Sequence, residues 1–291
     1  MKKKTVLLIV LICFGVFVLF GVASCFFVSS YIKNNGSPDF SYSSKGIEET
    51  QNQSVSLEGV DTIVITGVSD EITLTASAGD MLTSELNTTQ FWKASKLTLD
   101  SHVSGTTAYV EVVYPTTSMH MIESELNVGI PTDFSGSVKI IDTAGSVSGD
   151  ISNSLSSLSM FTTSGRLQLS LNRVGDVHLE SVSGGIDFKA SVDGALTAKT
   201  VSGEVDINGP ASSSASVSVE TISGSVDVTY FKACPTKIST TSGAVNIKLI
   251  EDVPIHLAFS STAGSIRGET ATDPDGVEFK ITTISSDLSF E

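Results

Sequence analysis

Cysteine is nearly missing where it could matter. Of three cysteines in 291 residues, Cys13 and Cys25 lie inside an apolar N-terminal segment, which leaves only Cys234 for the rest of the chain. An intrachain disulfide is thereby excluded outside that segment, and the fold must stand on a buried core. Cys234 precedes Pro235 in a return loop, a place that suits a quiet buried thiol. Charge is also scarce, at 17% of residues, and tryptophan occurs once, at Trp92. The four histidines, His102, His120, His178 and His256, share no metal-ligand spacing. No serine sits in a Gly-x-Ser-x-Gly setting, and there is no phosphate loop or dinucleotide fingerprint. No residue is therefore singled out as catalytic, cofactor-binding or metal-ligating, no cofactor is expected, and the chain is expected not to be an enzyme.

Acidic residues are absent before Asp39. Met1-Lys2-Lys3-Lys4 instead precedes a mostly apolar run from residue 5 to about 29, long enough to cross a bilayer as one helix. Three lysines before the run and only Lys33 soon after it predict residues 1–4 as a cytoplasmic tail, with everything beyond the run outside. Val22-Ala23-Ser24-Cys25 resembles a lipoprotein processing box, which would put a lipid on Cys25; against it, Phe26-Phe27-Val28 keeps the run apolar. Full secretion is the third reading. Each of the three puts the remaining chain outside the cytoplasm, anchored or released. Lys2, Lys3 and Lys4 leave 14 of the 17 basic residues to face all 32 acids, a formal charge of −18 on the outer part. Such a surface is unsuited to nucleic acid or anionic lipid. Residues 30–54 are rich in Ser, Asn, Gly and Gln without apolar period, and are expected to be a flexible tether.

What the chain does have is a repeat. Ser-Gly or Ala-Gly recurs with its glycine at Gly145, Gly165, Gly184, Gly203, Gly224, Gly243 and Gly264, in steps of 20, 19, 19, 21, 19 and 21 residues. That is a solenoid period. Aligned on the glycine, five columns turn apolar. Leu158, Val177, Leu196 and Val217 stand seven before; Met160, Leu179, Val219 and Ile238 five before; Val182, Val201 and Ile222 two before. Val147, Leu167, Ile186 and Val205 stand two after; Leu169, Phe188, Ile207 and Val228 four after. Pairs separated by two residues read as half-buried strands. The odd step from five before to two before predicts a turned corner at the glycine, with positive φ at Gly203 and its equivalents. The serines Ser183, Ser202, Ser223 and Ser242 are expected to form a hydrogen-bonded ladder there.

The fold class predicted is all-β: a β-solenoid, or β-helix, of ~20-residue coils whose apolar columns stack into one core. Residues 138–291 carry the regular coils. Ile63, Ile65, Val68, Ile72 and Leu74 fit the same template as a degenerate first coil, and Phe279, Ile281, Ile284, Leu288 and Phe290 as a degenerate terminal one. Between them, residues 75–137 leave the register and are expected to form a small β cap with Phe91 and Trp92 in its core, so that 55–137 holds first coil and cap together.

The Ser-Gly corners between short alternating strands resemble the putative adhesin family of bacterial and archaeal envelope proteins, a domain of unknown function. The resemblance runs from about Val55 to Glu291. It includes Asn127-Val128-Gly129-Ile130-Pro131, similar to the strand ending in proline before that family's repeats. Alanine precedes the corner glycine at Ala144 and Ala263, a departure from the pattern. The resemblance implies a β-solenoid surface protein, often behind one transmembrane helix.

Two outward rows carry charge. Asp187, Asp206 and Asp227, followed by Asn246, stack if the coils do; the row reads as a solvated acidic face, with a bound cation as its alternative. Glu180, Lys199 and Glu220 alternate in sign, as favourable stacking requires. The functional expectation is a membrane-anchored, adhesin-like surface protein whose partners are a cell-surface glycan or an envelope protein, and no nucleic acid. The alternatives are an accessory envelope-stress sensor acting through a membrane partner, and an extracellular glycan-active enzyme.

Overall fold

A computed structural model of the chain describes residues 42–92, 96–114, 122–210, 212–251, 253–267 and 273–290. The tail 1–4 and the apolar run 5–29 lie outside the described residues, as do His120 and the side chains of Phe91 and Trp92. Among the described residues all regular elements are strands, and no helix is long and apolar enough to cross a membrane.

In chain order the strands begin with β1 (Tyr42–Ser56), β2 (Thr62–Thr66), β3 (Glu71–Ser77), β4 (Met81–Trp92), β5 (Thr98–Ser104), β6 (Thr107–Val113) and β7 (Ile122–Pro131). Then follow β8 (Ser137–Ile141), β9 (Val147–Thr162), β10 (Leu167–Ser181), β11 (Ile186–Val192), β12 (Ala195–Ser202), β13 (Val205–Pro210) and β14 (Ser216–Ser223). The last are β15 (Val226–Tyr230), β16 (Thr236–Ser239), β17 (Val245–Leu249), β18 (Ile255–Ser260), β19 (Ile266–Arg267), β20 (Val277–Thr282) and β21 (Leu288–Phe290).

They stack into two ladders. Strands ahead of the corner run in the order β5, β6, β2, β8, β9, β10, β12, β14, β16, β20, β18. Strands after it run β4, β7, β3, β9, β10, β11, β13, β15, β17, β21, β19. Pairing is parallel throughout except β4 with β7 and β5 with β6. The solenoid is therefore present, with one coil per Ser-Gly period. Leu158, Met160, Val177, Leu179, Leu196, Ala198, Val217 and Val219 are at most 3% exposed and face Val147, Leu167, Ile186, Val205 and Val226, at most 1% exposed. Burying each of these side chains stabilises by roughly 1.5–3 kcal/mol before entropy is subtracted.

Several expectations are corrected. The column two before the glycine points outward: Val182, Val201 and Ile222 are 40%, 44% and 54% exposed. The inward residue is one earlier and polar, as Thr162, Ser181, Thr200, Thr221 and Thr240 show. Strand alternation thus runs unbroken to three before the glycine, and the odd step follows it. β-branched residues suit extended backbone whichever way they point, which is how the outer row passed for a core column.

The corner glycines answer to stacking more than to φ. A Cβ on Gly184 would lie 1.8 Å from the carbonyl oxygen of Gly165, and one on Gly203 2.2 Å from that of Gly184. Gly203 does not have positive φ; Gly243, at +127°, does. Backbone also carries the serine ladder: Ser183 N donates to Thr163 O at 2.9 Å and Ser202 N to Val182 O at 3.1 Å. The Ser183 hydroxyl makes a longer bond of 3.4 Å to Thr163 O.

Residues 75–137 do not leave the stack. β6 and β7 form a coil in register with β2 and β3, pairing Ile65 with Val110 and Ile72 with Leu126. The sequence between β6 and β7 holds no Ser-Gly dipeptide, so a fixed-offset template passes over this coil. β4 and β5 then close that end antiparallel. The tether is shorter than expected, because 42–54 belong to β1, which pairs with β4. Gln51 and Gln53 use their amides as a false strand: Nε2 donates to Leu97 O and Leu99 O at 2.8 and 2.7 Å, and Leu99 N and Ser101 N donate back at 3.0 and 2.6 Å. The free edge of β5 is covered in this way.

At the other end, the last coil in sequence is not the last in space. β20 and β21 insert between the coils of β16–β17 and β18–β19. Phe279, Ile281 and Leu288 are fully buried, whereas Ile266 in the outermost coil is 47% exposed.

Candidate functional site

The predicted charged rows form as stacks. Asp187 pairs in register with Asp206, Asp206 with Asp227, and Asp227 with Asn246. Asn246 Nδ2 donates to Asp227 Oδ1 at 2.7 Å, so the row ends in an amide that relieves its last carboxylate. Partial burial, then Asp187, Asp227 and Glu204, hold the Asp206 carboxyl above the usual range, with Arg166 opposing. No group of three or more metal-ligating side chains occurs among the described residues. In the other row Lys199 Nζ lies 3.5 Å from Glu220 Oε2, and Lys237 Nζ lies 4.0 Å from Glu220 Oε1. Among the described residues His102 stacks on Tyr109 with ring centroids 5.1 Å apart, and His178 lies 3.5 Å from Glu180. Cys234 is buried, and burial pushes its thiol up to about 11, which leaves it inert at neutral pH.

Concave surface lies elsewhere, around the first coils. A cleft of about 880 Å³ is lined by Glu58, Asp61, Asp80 and Asp133 with Phe134 and Ser137. A second, of about 740 Å³, collects Glu48, Glu49, Glu71, Glu123 and Glu125 around Ser124. A third, of about 530 Å³, is lined by amides and hydroxyls, among them Asn52, Gln53, Thr83 and Asn127. Sequence reading missed all three, since β1, β4 and β7 meet only through long-range pairing. Alternation along β7 was the available signal: Glu123 and Glu125 share the face opposite Leu126 and Val128.

The second cleft sits over a buried polar network. Ser124 Oγ donates to Asp70 Oδ1 at 2.5 Å, Tyr114 Oη donates to the same oxygen at 2.9 Å, and Val68 N donates to Asp70 Oδ2 at 3.1 Å. Burial, more than the nearby Asp70, holds the Tyr114 phenol well above its ordinary value. Asp142, in the adjacent coil, accepts from Gly145 N. Its carboxyl is held up first by burial and then by Asp70. The only ion pair among the described residues that reaches the second cleft is Lys96 Nζ with Glu49 Oε1, at 2.8 Å. Open clefts lined by carboxylates, amides and hydroxyls suit cationic or hydroxyl-rich ligands held by several weak contacts.

Comparison with known proteins bears on fold and family. No curated protein matches the chain. Among solved structures it is similar to a putative lipid binding protein from Parabacteroides distasonis, at 15% identity over 84% of this chain and 97% of that one, with a TM-score of 0.49. It is also similar to a putative adhesin from the same species, at 12% identity over 83% and 97%, TM-score 0.44. A putative adhesin from Bacteroides fragilis stands at 10% identity over 84% and 97%, TM-score 0.41. The family model described as Toastrack DUF4097 matches residues 51–287, most of the length, and the chain therefore belongs to the Toastrack DUF4097 family.

Proposed function

We propose that this chain is an adhesin-like surface protein, held at the membrane by residues 5–29 with its coils outside the cytoplasm, and that it binds without catalysis. The observation that carries the reading is the register of its outer faces. Ser202 pairs with Ser223, Ser223 with Ser242 and Ser242 with Ser285, so the same short polar side chain recurs at one strand spacing from coil to coil. Such a face offers many equivalent weak contacts, which is how a surface protein gains avidity for a repetitive glycan or envelope protein. The outer charge of −18 disfavours nucleic acid as a partner. Binding of a soluble 46–291 fragment to whole cells and to an array of envelope glycans tests the proposal; saturable binding supports it, and none on either surface removes it. Fractionation, with mass spectrometry at Cys25, separates the uncleaved helix from a lipid anchor and from release. Turnover of a glycan that disappears in Asp206→Asn would replace this reading with a glycan-active enzyme.

The second reading is an accessory envelope sensor that signals through a membrane partner. The buried carboxyl pair Asp70–Asp142 is the observation that favours it. Crosslinking in whole cells that recovers one consistent membrane protein would support this reading over adhesion.

A further inference from the structure

Three residues before the corner, five successive coils point a neutral hydroxyl into the interior. Thr162, Ser181, Thr200, Thr221 and Thr240 fill this slot in successive coils and are at most 6% exposed. Thr200 Oγ1 donates to Gly184 O at 3.3 Å and Thr240 Oγ1 to Ser242 O at 3.3 Å, whereas Thr162 Oγ1, Ser181 Oγ and Thr221 Oγ1 find no partner among the described residues. One coil earlier the slot holds Asp142, and one coil beyond that it holds Gly67. Asp70 occupies the corner position that glycine takes in the Ser-Gly and Ala-Gly coils.

Asp70 and Asp142 are both 0% exposed. A Cβ on Gly67 would lie 2.8 Å from Asp142 Oδ1, 2.8 Å from Asp70 Oδ2 and 3.3 Å from Ile72 Cδ1. The two carboxyls therefore converge on one small space, backed by Gly67 and closed by an isoleucine methyl. Asp70 accepts three hydrogen bonds, whereas Asp142 Oδ1 accepts none. No lysine, arginine or histidine pairs with either carboxyl among the described residues. The neighbouring elements add mostly negative charge. Glu71 on β3, Glu123 and Glu125 on β7, and Glu48 and Glu49 on β1 line the cleft above, and Glu111 lies on β6 beside Thr66. Tyr114 donates to Asp70; Lys139 on β8 is solvent-exposed, and Arg166 belongs to the following coil. Two ionised carboxylates buried this way would carry a desolvation penalty with no counter-charge.

We propose that Asp142 is carried as the neutral acid in the folded chain, its O–H taking the place of the column's hydroxyls and facing Asp70, and that the pair forms a pH-responsive latch between the first coil and the first Ser-Gly repeat. Below the ordinary carboxyl range the acid is protonated folded or unfolded, and the latch is fully closed. As pH rises the unfolded chain releases the proton first, so stability falls until the buried acid itself ionises. Burial and Asp70 set that upper limit.

The test uses the full-length chain in detergent. Carboxyl carbon NMR of Asp142 should show titration above the ordinary aspartate value of about 3.9. The melting temperature should fall on going from acid to neutral pH by about 3–5 °C for each unit of that displacement. Asp142→Asn, which keeps shape and neutrality, should flatten this slope, and Asp142→Thr should do the same. Amide exchange in β2, β3 and β8 should quicken with pH in the parent chain and not in Asp142→Asn. A carboxyl that titrates at or below the ordinary value overturns the proposal, and so does a slope unchanged in Asp142→Asn. If both variants fail to fold, the NMR titration of the parent chain decides.

Discussion

Glycine at a corner can answer to two requirements, and substitution separates them. Gly203 has ordinary φ but no room, since a Cβ would meet Gly184 O at 2.2 Å. Gly185, its near neighbour in the stack, would place a Cβ 3.5 Å from Glu204 O, an ordinary contact. Gly203→Ala should therefore destabilise by about 1–3 kcal/mol through overpacking. Gly185→Ala should be neutral or stabilise by up to about 1 kcal/mol through the unfolded chain. Thermal melts of the two variants side by side check this; equal losses would mean that stacking is not what the corner glycines serve. The dipeptide was plain in the sequence, but its reason was not. φ is a local property, whereas the obstructing carbonyl belongs to a residue 19 positions away.

At the scale of an element, like charges in register work against the stack. The row Asp187–Asp206–Asp227 is open to solvent, so its repulsion is modest and responds to salt. Asp206→Asn should raise the melting temperature at low ionic strength, with the gain narrowing in molar salt. Because Asp206 is held above the usual carboxyl range, its share of stability is present at low pH and lost as pH rises, in the same sense as Asp142. Asp287 behaves oppositely. Ser265 N and Oγ donate to its Oδ1 at 2.9 and 2.8 Å, and Arg267 Nη2 to its Oδ2 at 3.0 Å, which holds this carboxyl below the usual range. Its contribution is present above the ordinary carboxyl range and lost as pH falls through the lowered value. These bonds tie the outermost coil to the one beneath it. Asp287→Asn at neutral pH should loosen 255–267, as acid does in the parent chain; hydrogen exchange confined to β18 and β19 measures it.

For the molecule as a whole, the order of coils in space differs from their order in sequence at both ends. Among the described residues β18 pairs only with β20, so the outermost coil depends on a segment that follows it in the chain. Deleting residues 273–291 should thus do more than trim a tail. It should strip 255–267 of its only described strand partners, expose Thr236 and Ile238 on β16, and shift limited proteolysis to sites from about residue 250 onward. Proteolysis that leaves 255–267 as protected as in the full chain would contradict the pairing. A comparable exchange at the other end puts the β6–β7 coil outside the β2–β3 coil, which is why Ile63 and Ile65 are wholly buried.

The amino-acid pattern alone determined the period, the strand class and most of the core, because a stacked coil forces the same side-chain class to recur at fixed offsets. It also determined the aspartate row and the Glu180–Lys199–Glu220 row, for the same reason. It could not tell inward from outward next to the corner, where Val201 faces solvent and Thr200 the interior, since both types favour extended backbone. Only the tertiary structure decided which coil caps which, and that Glu48, Glu71 and Glu123 share one cleft above two buried carboxyls. Those juxtapositions join segments up to about a hundred residues apart through backbone pairing, and backbone pairing writes almost nothing into the residues that make it.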